Sequence, residues 1–181
     1  MEVCVCFCYN KMRVTIKNYE KSNTIKTREG KIMETMQGKK NIVLIGMPGA
    51  GKSTVGVVLA KRLGYRFLDS DLVIQEQTKK LLHELITEHG VDGFLKIEED
   101  INAGLDCEQA VIATGGSVIY GEKAMEHLRE IGCVVYLKLS YKEIEDRLGD
   151  LTARGVALKN GQTLKDLYNE RCPLYEKYAH I

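Results

Sequence analysis

A three-layer α/β/α domain around a parallel sheet is the fold that this 181-residue sequence predicts. Three observations lead there. Short, continuous apolar runs, the mark of strands buried on both faces, alternate with stretches of helical period. A glycine-rich turn joins the first such run to the first helix. Residues able to do chemistry fall at the ends of the runs, where ligands bind in open parallel sheets.

The regular pattern begins at Asn41. "NIVLIG" reads as a buried strand, and "KSTVGVVLAKRLG" as a helix with Val55, Val58, Leu59 and Leu63 on one face and Gly64 as its stop. "YRFLDSD" is a second strand. Two helical stretches follow, "LVIQEQTKKLLHELITEHG" and "DGFLKIEEDINAGL", the second with Asp92 as its N-cap. "AVIATGGS" is a third strand, "EKAMEHLREIG" a helix ended by Gly132, and "CVVYLKLS" a fourth strand. Ser140 and Glu143 form a Ser-x-x-Glu capping box for the helix "YKEIEDRLG". A polar stretch, about 149–161, is long enough for a closing lid, and a last helix starts at Thr163. Residues 41–181 thus read as one domain.

Residues 1–40 differ. They carry nine Lys/Arg against four Asp/Glu, about +5, and lack a sustained period, so they read as a disordered N-terminal extension. Met33 or Met36 is a candidate natural start, and a basic recruiting tail is the alternative. The remainder holds 17 basic and 21 acidic residues, about −4, which gives no electrostatic reason to hold nucleic acid or an anionic membrane. No apolar run approaches the roughly 18 residues of a membrane span. The opening run lacks the basic start and small-residue cleavage site of a signal peptide. Cys4, Cys6 and Cys8 sit at alternate positions but have no His or fourth ligand at metal-site spacing. With Cys107, Cys133 and Cys172 they read as free thiols of a reducing cytoplasm.

Four groups of residues carry the chemistry. "GMPGAGKST" (46–54) has the form Gly-x-x-x-x-Gly-Lys-Ser in a strand–turn–helix setting. Gly49 and Gly51 let successive N–H groups converge on a polyphosphate, and the following helix dipole favours an anion there. Lys52 would reach its terminal phosphates and Ser53 would ligate Mg²⁺. In "LDSD", Asp69 and Asp71 share one side of an extended backbone. One can steady the metal and the other take a hydroxyl proton from a phosphoryl acceptor, with helix capping as the plainer role. In "TGGS", Gly115 and Gly116 admit a ligand close to the backbone, unless they only make a turn. Arg147 and Arg154 flank or lie in the lid stretch, suited to a transferring phosphoryl group, though an exposed Arg is more often simply solvated. Arg171 precedes Pro173, expected to break or kink the helix and turn a guanidinium toward a carboxylate. His83, His89, His127 and His180 read as structural or solvated.

In order, GMPGAGKST, LDSD, FLKIEED, TGGSV, a lid Arg and RCPLY resemble the shikimate kinase family from Asn41 to the last residue. The resemblance implies a P-loop kinase fold with sheet order 2-3-1-4-5, of which this chain carries 2-3-1-4 and lacks the fifth strand. It implies ATP and Mg²⁺, and phosphorylation of a shikimate hydroxyl by a cytoplasmic monomer. By position, Gly49, Ala50, Gly51, Lys52, Ser53 and Thr54 hold ATP phosphates, and Ser53 and Asp69 serve Mg²⁺. Asp71 orients and deprotonates the acceptor, Gly115 and Gly116 contact it, and Arg171 grips its carboxylate. Arg154 meets the phosphates, while Arg147 lies near the nucleotide.

This chain departs from the family pattern at several places. A second carboxylate-binding Arg is replaced by Leu95, and Lys96 is rotated from it by about 100° on a helix. Thr114 takes the place of a Gly, adding bulk and a hydroxyl beside the substrate. Gly155 follows the lid Arg where the family has Pro. The end at "YEKYAHI" reads as a truncated product, or as a sheet edge completed by a partner. These departures keep two alternatives open: a kinase for another small hydroxy acid or polyol, and a weakly catalytic nucleotide-binding module.

Overall fold

The computed structural model describes the backbone of residues 2–8 and 11–17, and residues 39–148 and 161–181. The chain divides into two units, residues 1–38 and 39–181. In the first, β1 (Glu2–Cys8) pairs antiparallel with β2 (Lys11–Lys17), from Glu2 opposite Lys17 to Cys8 opposite Lys11. No strand was expected here. Its signal is the alternation of Met12, Val14 and Ile16 with Lys11, Arg13, Thr15 and Lys17, a period of two.

The second unit runs β3 (Asn41–Ile45), α1 (Lys52–Leu63), β4 (Arg66–Asp69), α2 (Ser70–Thr78), α3 (Leu82–Ala103) and β5 (Ala110–Ala113). After a 3₁₀ turn, Val118–Tyr120, come α4 (Glu122–Ile131), β6 (Gly132–Tyr136), α5 (Tyr141–Leu148) and α6 (Leu164–Tyr178). The four strands are all parallel in the order β4-β5-β3-β6, which is the expected 2-3-1-4. Val43, Ile45, Val111, Ile112 and Val134 have no measurable exposure. Each such side chain contributes roughly 1.5–3 kcal/mol of transfer free energy, which is why the strands read as unbroken apolar runs.

Helix boundaries follow local chemistry, with three differences from expectation. Gly64 ends α1 in the left-handed region, its N–H on the Ala60 carbonyl, as predicted. The stretch 72–90 breaks at Lys79 (φ 58°), separating α2 from α3. The interruption within α3 lies at Gly90 (φ 70°), two residues before Asp92, because only a glycine takes that conformation without strain. Helix α6 runs unbroken through Pro173: the lost backbone bond is outweighed by one face burying Leu167, Arg171, Tyr175 and Tyr178. Thr163 caps it through Asp166, and Ser140 with Glu143 starts α5 as expected.

The outer side of β6 is occupied. Ile181 donates to the Val134 carbonyl at 3.3 Å, and the Tyr136 N–H donates to the Ile181 carbonyl at 2.8 Å, the pattern of a parallel pair. The edge expected to be open is therefore paired at this point.

Asn41 ties the base of the sheet together. Its side chain donates to the carbonyls of Cys107 (2.7 Å) and Ile131 (3.0 Å) and accepts from the Ala110 N–H (3.0 Å), all at 1% exposure. Asn41→Ala strands those three groups, so we expect a loss of about 2–4 kcal/mol. Urea unfolding measures it, with the midpoint falling at constant m. A loss under about 0.5 kcal/mol would mean that the three groups find other partners.

Candidate functional site

A cavity of about 500 Å³ opens at the C-terminal ends of β3, β4 and β5. Such crevices collect what the strand ends carry. Here they carry the glycine-rich loop, the two aspartates and the paired glycines.

The loop leaves β3 and enters α1 with Gly51 in the left-handed region (φ 90°) and no side chain capping the helix. The first N–H groups of α1 lack side-chain acceptors, which makes this helix start a ready anion site. Gly49, Gly51, Lys52, Ser53 and Thr54 line the cavity. Ala50 does not; it is fully buried, its N–H on the Met47 carbonyl. Lys52 is 8% exposed and donates to the carbonyls of Gly46 (2.8 Å) and Met47 (3.1 Å). Burial lowers its ammonium to about 8, against the pull of Asp71.

Asp69 and Asp71 meet, though not by sharing one face of a strand. β4 ends at Asp69 and passes into α2 without a loop, so Asp71 stands in the first helical turn. One oxygen of Asp69 caps that helix by accepting from the Asp71 N–H (3.1 Å). The other accepts from the Ser53 hydroxyl at 2.7 Å. The Ser53–Asp69 pair offers hard oxygen donors beside the phosphate cradle, a partial set of the kind Mg²⁺ completes with water and phosphate. Asp71 lines the cavity, and burial, with Asp69 beside it, pushes its carboxyl up to about 6 against the pull of Lys52.

The paired glycines are a matter of space. A Cβ on Gly115 would lie 2.2 Å from Glu98 Oε1 and 2.9 Å from Asp71 Oδ1. Gly116 backs onto Pro48 and Arg171. Thr114 lines the cavity, but its hydroxyl donates to the Leu44 carbonyl at 3.0 Å, so that donor belongs to the sheet.

Arg171 is 2% exposed, lines the cavity from α6, and donates from Nε to the Tyr120 hydroxyl at 3.2 Å. Arg147, at the end of α5, also lines the cavity. Arg154 and lid residues 149–160 lie outside the described residues. Leu95 packs with the apolar cluster of Ile74, Leu85 and Phe94. Lys96 faces away, bound to Glu99 (3.1 Å) and Asp100 (2.8 Å), and does not stand in for an arginine.

Glu98 was missed. It lines the cavity at 1% exposure, and neither carboxylate oxygen has a hydrogen-bond partner of good geometry. Burial raises it to about 7, with the nearby Ser117 hydroxyl the strongest influence toward the charged form. Its signal was spacing: Glu98 is four residues beyond Phe94, which also lines the cavity, on the same helical face. Among the described residues no cluster of three His, Cys, Asp or Glu could hold a metal, and no helix is long and apolar enough to cross a membrane.

A carboxyl with a folded pKa near 7 and an ordinary value of 4.5 stabilises the fold below 4.5 and loses that contribution as pH rises through about 7. Glu98→Gln is therefore expected to be more stable than wild type at pH 8 by roughly 1–3 kcal/mol, with the difference vanishing near pH 4.5. Urea midpoints across that range test it. A gap that does not grow with pH would show the carboxylate to be solvated or paired.

A sequence profile of the family described as "Shikimate kinase" matches residues 48–181. A shikimate kinase of Clostridium botulinum (strain Eklund 17B / Type B) is 39% identical over 145 residues, 78% of this chain and 86% of the relative. One from Thermodesulfovibrio yellowstonii is 38% identical over 141 residues, 76% and 82% of the two chains. The solved structure of shikimate kinase from Acinetobacter baumannii in complex with shikimate superposes with a TM-score of 0.72 at 35% identity, covering 81% of this chain and 84% of its own.

Proposed function

The chain belongs to the shikimate kinase family, and on that footing we propose that it transfers the γ-phosphate of ATP to a hydroxyl of shikimate, giving shikimate 3-phosphate. The observation that carries this reading is the meeting, in one cavity, of the phosphate cradle with the half-buried Asp71 and the buried Arg171. An acceptor with both a hydroxyl and a carboxylate fits those two groups.

The acceptor lies with its carboxylate on Arg171 and its reacting hydroxyl on Asp71, against the bare backbone of Gly115 and Gly116. Asp71 takes the hydroxyl proton as the acceptor oxygen bonds to the γ-phosphorus and the bond to the β-bridging oxygen breaks. ADP leaves. The N–H groups of Gly49 and of Gly51 to Thr54 and the Lys52 ammonium hold the phosphates and meet the charge of the transition state, with Arg154 as the lid cation and Arg147 beside the nucleotide. Moving to a phosphate, Lys52 exchanges its bonds to Gly46 and Met47 for stronger charge-assisted ones. Ser53 and Asp69 would hold Mg²⁺, whose chemistry there would be to draw charge from the phosphoryl oxygens. A monomer in the cytoplasm, acting on a small molecule and not on nucleic acid or membrane, completes the reading. Leu95, in an apolar cluster where a second arginine was expected, is the feature that favours another hydroxy acid or polyol.

Incubation with MgATP and shikimate, followed by mass spectrometry, is expected to show the phosphorylated acid. ATP binding without that product moves the acceptor to another hydroxy compound; binding without transfer to any acceptor leaves a nucleotide-binding module. Asp71→Asn is expected to lower kcat by about 10²–10⁴ while ATP binding persists. In the wild type, kcat/KM should fall below about pH 6 as Asp71 is protonated. Turnover by the Asn variant near the wild-type rate would remove Asp71 as the base.

A further inference from the structure

Tyr120 lies outside the cavity lining, yet it touches Arg171, one of the two buried cations that line the cavity. The Arg171 guanidinium sits over the Tyr120 ring at 5.2 Å, and its Nε–H donates to the phenol oxygen at 3.2 Å. That hydroxyl in turn donates to Glu170 Oε1 at 2.7 Å, and Glu170 Oε2 accepts from Gln162 Nε2 at 2.6 Å. A cation, a neutral hydroxyl and an exposed carboxylate thus stand in one line of hydrogen bonds, each polarising the next.

We propose that Tyr120 is a positioning residue that fixes Arg171 so that its guanidinium holds the acceptor's carboxylate, Glu170 anchoring the phenol from the solvent side. The inference rests on Arg171 binding that carboxylate. Three features argue for it. An arginine side chain has roughly 2 kcal/mol of rotamer entropy to lose, and the ring face together with the Nε bond removes that freedom before the acceptor arrives. The Tyr175 hydroxyl also bonds the guanidinium, and Nη1 lies 3.1 Å from where a Cβ on the cavity-lining Gly116 would stand, the side on which the acceptor is met. Leu95 and Lys96 supply no second cation: the first joins an apolar cluster and the second is bound to Glu99 and Asp100. Orientation of the Arg171 guanidinium therefore sets how well a carboxylate is told from an uncharged group.

The line also separates two roles for the same ring. Its face would remain in Tyr120→Phe, while the phenol bonds to Nε and Glu170 would go. A packing role survives that change and a positioning role does not.

Steady-state kinetics with MgATP and either shikimate or its methyl ester read the difference. Tyr120→Phe is expected to raise KM for the acid about tenfold, the scale of one charge-assisted bond, and KM for the ester less than about twofold, with KM for ATP unmoved. Preference for acid over ester thus falls about tenfold. Glu170→Ala, which leaves the ring and the hydroxyl in place, should lower the same preference by about threefold. An unchanged preference in both variants overturns the proposal. A readout independent of the acceptor is the Arg171 Nε–H resonance, assigned by its loss in Arg171→Lys: exchange with solvent is slow in the wild type and accelerates in Tyr120→Phe. Equal exchange rates overturn the proposal even if shikimate proves not to be the acceptor, whereas accelerated exchange with no turnover of shikimate keeps the phenol's hold on Arg171 and removes only the acceptor assignment.

Discussion

The bare backbone at Gly115 sets the spacing on which the rest of this site depends. Glu98 from α3 and Asp71 from α2 come so close to it that no side chain fits between them. Burial is the chief reason that both carboxyls resist ionisation. Their pKa values rise to about 6 for Asp71 and about 7 for Glu98, with Asp69 adding to the shift of Asp71 and Asp71 to that of Glu98. Lys52 and Arg171, both buried, supply the opposing charge.

Such a cluster works against stability. Each buried ion costs several kcal/mol of desolvation, which imperfect pairing does not return in full. The sheet beneath carries that load. Its apolar strands are sealed at the base by Asn41, which satisfies three backbone groups from three segments at once. Stability is concentrated at one end of the strands and chemistry at the other, a division that parallel sheets impose because every strand end of one kind lies on one side.

Legibility in the sequence followed the range of the interaction. The phosphate loop was plain because its cause is local: glycines, a lysine and a helix start within nine residues. The strand order came from resemblance, and Arg171 from the same source joined to its proximity to Pro173, although the helix does not break there. Asp69 and Asp71 were found for a reason that proved incomplete, since a helix begins between them. Glu98 escaped because its significance arises where a helical face meets a glycine turn 17 residues away. Tyr120 escaped for the same reason, being defined by α6 across 51 residues. The Thr114 hydroxyl, expected to face a substrate, is taken by a neighbouring strand. The strands Glu2–Cys8 and Lys11–Lys17 were overlooked because the segment as a whole lacks a sustained period and the short alternation within it was not weighed by itself.

Asp69 divides its two oxygens between the two halves of the cavity. One fastens the first turn of the helix that carries Asp71, a cap of the kind worth about 1 kcal/mol; the other receives the hydroxyl that opens the phosphate-side helix. A single side chain is thus the splice between two helix starts. Whatever displaces the Ser53 hydroxyl from one oxygen therefore acts on the same carboxylate that caps the helix of Asp71.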